Sequence, residues 1–108
     1  MPILLKSEVL AKLKELKPIY EKDGIYLEGI FGSYARDEAK DSSDIDLLFE
    51  LDEKVFLAKY PAFRAFSKLT QIKEELQAIF DKKVDLADKA TLRDETKQHI
   101  LKDLIYAN

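Results

Sequence analysis

Apolar residues recur at helical spacing from about Ser7 to Lys22, with Val9, Leu10, Leu13, Leu16, Ile19 and Tyr20 along one side. Ser7 is the expected N-cap and Asp23-Gly24 the stop. Pro18 falls inside this pattern, so a kink or break is expected near Lys17. The stretch Ile25 to Phe31, IYLEGIF, is short, β-branched and aromatic, and reads as a buried strand ending at Gly32. Ser33 to Ala39 suits a short helix, and Lys40 to Ser43 a polar loop. Asp44 to Leu51 reads as a second strand, whereas Asp52 to Pro61 is ambiguous. Ala62 to Phe80 carries the clearest helical stripe: Phe63, Phe66, Leu69, Ile72, Leu76, Ile79 and Phe80, expected to be core. After a turn at Asp81 to Lys83, Val84 to Ala87 forms a third, very short strand. Thr91 with Asp94 resembles a capping box that opens a last helix, with Leu92, Ile100, Leu101, Leu104 and Ile105 inward.

This order predicts an α/β (α+β) fold with a small mixed three-stranded sheet flanked by helices. The second and third strands are joined through a long helix, so they are expected to run parallel with a right-handed crossover. The connection from Ser33 to Ser43 is short enough for antiparallel neighbours. Gly32-Ser33, Asp44-Ile45-Asp46 and Asp85 would then meet at one edge of the sheet.

Side chains alternate along a strand, so Asp44 and Asp46 share one face while Ile45, Leu47, Phe49 and Leu51 share the other. Neighbouring carboxylates repel unless a cation joins them. Hard oxygen ligands suit magnesium, which binds one or two carboxylates together with substrate phosphates. Asp85, between Val84 and Leu86, would complete a three-carboxylate set for two metal ions, the arrangement used in phosphoryl displacement. Gly32 would let the backbone approach a phosphate, and Ser33 would donate a hydrogen bond to it. Gly-Ser and Asp-x-Asp at fixed spacing should coincide by chance on the order of once per thousand chains of this size. A calcium loop is disfavoured, because Asp41, Asp44 and Asp46 lack its regular spacing, central glycine and terminal glutamate. Arg36 and Ser43 are candidate nucleotide contacts. Each has a plainer alternative: an ion pair for Arg36 and a loop hydrogen bond for Ser43. His99 and Asp88 are given no role, and Tyr34 is read as a packing or rim residue.

Composition narrows the class. The 108 residues suit a single domain, 1–108, with 46% apolar content available for a core. Lys and Arg total 18 against 21 Asp and Glu, a net charge of −3, which disfavours direct nucleic-acid binding. No cysteine is present, which excludes disulfides, thiolate zinc sites and a cysteine nucleophile. The start, MPILLKSEVL, lacks the apolar core of a signal peptide, and no run approaches the roughly 20 residues of a membrane span. A cytoplasmic protein without membrane contact is expected.

The segments GSYAR and SDIDLLFE, followed by KKVDLAD, resemble the minimal nucleotidyltransferases of the DNA-polymerase-beta-like superfamily over most of the chain. The resemblance implies that Gly32 and Ser33 bind the triphosphate of ATP, and that Asp44, Asp46 and Asp85 bind two Mg2+ ions. Family members commonly carry glycine after the arginine of this motif, where the present chain has Asp37. The resemblance further implies a helical HEPN-type toxin as partner, with this chain as antitoxin transferring AMP from ATP to a toxin tyrosine. Transfer to a small hydroxylated molecule such as an aminoglycoside, or neutralisation by binding alone, are the alternatives.

Overall fold

The computed structural model describes residues 4–107. The first three residues of the apolar start, and Asn108 at the end of the expected 1–108 domain, lie outside the described residues. Helix α1 spans Lys6–Glu21, strand β1 Ile25–Phe31, helix α2 Gly32–Ala35 and strand β2 Ile45–Leu51. Helix α3 (Glu53–Lys59) and helix α4 (Phe63–Phe80) follow, then strand β3 (Val84–Asp88) and a 3₁₀ turn at Lys89–Thr91. Helix α5 (Asp94–Asp103) and strand β4 (Ile105–Tyr106) complete the described fold. The chain therefore has the α/β architecture expected of it, a mixed sheet flanked by helices.

The sheet order is β3-β2-β1-β4. β1 and β2 are antiparallel, and β2 and β3 are parallel, as the connection lengths require. The expected count of three strands is corrected to four. The last helix stops at Asp103, and Ile105 pairs with Ile30 instead of continuing the helix. Gly29 makes this possible, because a Cβ there would collide with the Ile105 carbonyl. The capping box at Thr91 and Asp94 does not form: Thr91 closes the 3₁₀ turn, and Arg93 is the N-cap of α5.

Two other expectations fail for physical reasons. α1 continues through Pro18 without a break and starts at Lys6, after Leu5 rather than at Ser7. Val9, Leu13, Leu16 and Tyr20 are all buried, so packing on both sides of Pro18 outweighs the one hydrogen bond it forfeits. The apolar stripe of α4 is buried only over its second half, at Ile72, Leu76 and Phe80. Phe63 is 90% exposed and Phe66 75%, and Ile79 is also exposed. An 18-residue helix is about 27 Å long, whereas the five residues of β3 extend about 17 Å. The first turns of α4 therefore extend beyond the length of the strand that comes after them. The ambiguous stretch is α3, capped by the Asp52 side chain on the Val55 N–H and anchored by buried Phe56.

Position 37, where family members commonly carry glycine, has φ 58°, the left-handed conformation that Asp tolerates better than bulkier residues. Lys6 Nζ bonds the Asp37 carboxylate at 3.0 Å.

The two halves of α4 should respond differently to truncation. Leu76→Ala, in the core, is expected to cost about 2–5 kcal/mol, and Phe63→Ala to stay within about 0.5 kcal/mol of the parent. Urea melts of both variants check this. A Phe63→Ala loss as large as that of Leu76→Ala would place the first turn of α4 in the core.

Candidate active site

The antiparallel register sets Asp46 opposite Phe31, the last residue of β1. The parallel register sets Asp46 directly beside Asp85. Asp44 precedes β2 by one residue. The C-terminal end of β1 and the N-terminal ends of β2 and β3 thus gather Gly32, Ser33, Asp44, Asp46 and Asp85 at one edge, as the topology predicted. Gly32 has φ 73°, and a Cβ on it would run into the Asp46 carboxylate. The backbone conformation therefore favours glycine here, and a Cβ would force the Asp46 carboxylate to shift. Ser33 follows in α2, half-buried.

Asp46 is half-buried, whereas Asp44 and Asp85 are exposed. Burial, followed by the charges of Asp85 and Asp44, pushes the Asp46 carboxyl up to about 6, with Arg36 opposing weakly. Among the described residues, no three acidic or histidine side chains close into a ready-made cation cage. The donor chemistry suits a hard cation, because carboxylate oxygens crowd here and a cation would relieve their repulsion.

Arg36 adopts its plainer alternative. It pairs with Asp103 at 2.8 Å and Glu38 at 3.1 Å, tying α2 to α5. Ser43 likewise serves its loop, its hydroxyl accepting from the Lys40 N–H at 2.7 Å. The sequence reading passed over Lys82. Its ammonium bonds the Asp41 carbonyl at 2.6 Å and the Ser43 carbonyl at 3.0 Å, securing the loop that delivers Asp44. It also stands 5.9 Å from the centroid of the buried Tyr34 ring. The Lys82-Lys83 turn was its only visible signal. Asp88 caps the 3₁₀ turn through the Ala90 N–H, and His99 is exposed on α5.

An acidic pair on adjacent parallel strands thus stands beside the Gly-Ser turn. The chain matches the polymerase beta nucleotidyltransferase family over residues 14–108 and belongs to it. It is 32% identical over 102 residues to the protein adenylyltransferase MntA of Thermococcus cleftensis, covering 94% of this chain and 91% of that one. It is 41% identical over 102 residues to a protein of Methanocaldococcus jannaschii provisionally named a protein adenylyltransferase, covering 93% and 92%. Its fold is similar to a solved structure provisionally described as a minimal nucleotidyltransferase, with TM-score 0.73 and 22% identity over 94% of this chain and 95% of that one. It is also similar in fold to a chain of a toxin–antitoxin crystal structure with AMP-PNP, with TM-score 0.63 and 20% identity over 97% and 73%. The resemblance carried by GSYAR and SDIDLLFE thus holds for family and fold.

The raised Asp46 carboxyl has a definite consequence for stability. Its folded value of about 6 lies above the roughly 3.9 of an unfolded aspartate. The folded state therefore binds more protons between those values, and stability falls as pH rises from about 4 to 6. Asp46→Asn removes the penalty. It should melt above the parent at pH 7.5 without metal, and the advantage should vanish near pH 4. An Asp46→Asn protein that melts below the parent at pH 7.5 would make Asp46 a structural residue.

Proposed function

We propose that this chain, taken as one catalytic unit over residues 1–108, is a magnesium-dependent protein adenylyltransferase. It transfers AMP from ATP to a tyrosine of a helical HEPN-type toxin and so acts as a cytoplasmic antitoxin. The observation that carries the reading is Asp46 in register beside Asp85, against the Gly32-Ser33 turn. The names of its full-length relatives and the toxin–antitoxin complex of its structural neighbour support the choice of acceptor.

In this reading Asp44, Asp46 and Asp85 hold magnesium, two ions by the three-carboxylate count, and the metal supplies charge neutralisation for the phosphates. Gly32 leaves the backbone open to the triphosphate, and the Ser33 hydroxyl donates to one of its oxygens. Asp85, the more exposed member of the register pair, accepts the proton of the tyrosine hydroxyl. The phenolic oxygen forms a bond to the α-phosphorus as the bond to the leaving pyrophosphate oxygen breaks. Arg36 and Ser43 hold α2 and the 40–43 loop in place beside this site.

Asp85→Asn retains shape and removes the base. Transfer of label from α-labelled ATP to the partner should fall about a hundredfold or more, with ATP–magnesium binding close to that of the parent. Labelling at the parental rate would remove Asp85 from the chemistry.

A further inference from the structure

Asp44 is exposed and lies one residue before β2, outside the strand that fixes Asp46. Among the described residues, no lysine or arginine pairs with its carboxylate. Its placement therefore depends on the backbone to either side. On one side, the Ser43 carbonyl accepts from Lys82 Nζ at 3.0 Å. On the other, the Ile45 N–H donates to the Lys83 carbonyl at 2.9 Å. A single turn, between α4 and β3, thus holds both neighbours of Asp44. The same turn leads directly into β3, where Asp85 is the second residue.

Lys82 supplies a connection that the loop does not make for itself. The Ser43 N–H donates to the Lys40 carbonyl at 2.9 Å, and the Lys40 N–H to the Ser43 hydroxyl at 2.7 Å. Those bonds shape the loop without joining it to the turn. Lys82 Nζ joins it, bonding the Asp41 carbonyl at 2.6 Å as well as that of Ser43. Bonds donated by an ammonium are the stronger kind. The turn is itself anchored to α4. The Gln77 carbonyl accepts from the Lys82 N–H at 3.3 Å, and the Gln77 side-chain oxygen accepts from the Val84 N–H at 3.2 Å. Among the described residues, Lys82 has no carboxylate in ion-pair reach, so its ammonium acts here as a donor to backbone and not as a counter-charge.

We infer that Lys82 is a positioning residue, which acts through the Ser43 carbonyl to fix Asp44 relative to Asp85 so that the carboxylates converge on a cation. The inference rests on the adenylyltransferase reading for the use of that cation, and adds the residue that sets the geometry. Charge and position make opposite demands at Lys82. A positive charge beside acids opposes cation binding, so its removal alone would tighten binding. Loss of a positioning residue would weaken it.

The test measures Mn2+ alone binding to the full chain, from the electron paramagnetic resonance signal of the free ion. Lys82→Met keeps the length of the stem and removes the donors. Its manganese affinity should fall about tenfold, the scale of losing a group that orients a metal ligand. Lys82→Arg keeps donors for two acceptors and should recover most of the loss. Lys83→Met removes a neighbouring charge but leaves the Lys83 carbonyl, and should bind manganese as tightly as the parent or more tightly. In an Asp44→Asn background, Lys82→Met should cost nothing further, because its effect passes through Asp44. Parental or tighter affinity in Lys82→Met would overturn the inference, as would an equal loss in both backgrounds. A Lys82→Met chain whose melting curve shows no folded state would make Lys82 structural and also overturn it. A parent with no manganese affinity would overturn both the inference and the metal-dependent reading. Manganese binding that depends on Lys82, in a parent that transfers no AMP from α-labelled ATP to its partner, would support the positioning role and count against the adenylyltransferase reading alone.

Discussion

Two like charges held side by side govern this fold. Asp46 and Asp85 are register partners on parallel strands, and β2 cannot slip to separate them. A one-residue shift would turn Ile45, Leu47 and Phe49 out of the core, where they are 0%, 1% and 4% exposed. The apolar face of the sheet thus enforces a repulsion on the opposite face. A sequence selected only for stability would not retain that conflict, and strain of this kind concentrates at functional sites.

The surrounding structure fixes the position of the pair. Gly32 leaves room for the Asp46 carboxylate, which a Cβ there would displace. Lys82 holds two carbonyls of the loop before Asp44, and Arg36 joins the short helix α2 to α5. The terminal strand β4 closes on Gly29 and Ile30, so the segment bearing α5 is pinned to β1, whose end carries Gly32.

Sequence alone revealed what depends on local pattern and connection length. The alternation from Asp44 to Leu51 fixed which residues share a face, and the loop and helix lengths fixed strand directions. Those two facts were enough to bring Gly32, Ser33, Asp44, Asp46 and Asp85 together. Long-range contacts left little local signal. The Arg36–Asp103 pair joins residues 67 apart, and β4 is a two-residue strand whose pairing depends on a glycine far upstream. The periodicity of α4 correctly identified an apolar face but not what covers it, because that depends on the length of the adjoining strand. α3 was illegible because a single buried residue, Phe56, anchors it.

The central claim is that the crowded aspartates exist to bind a cation with nucleotide. It is tested most directly by the thermal shift produced by magnesium with a non-hydrolysable ATP analogue at pH 7.5, in the parent and in Asp44→Asn. At a hundredfold excess over the dissociation constant, the ligand should stabilise the parent by about 2.7 kcal/mol. Asp44→Asn should be as stable as the parent without ligand and lose most of the shift. A full shift retained in Asp44→Asn, together with lower stability without ligand, would show that Asp44 serves the fold and would contradict the account.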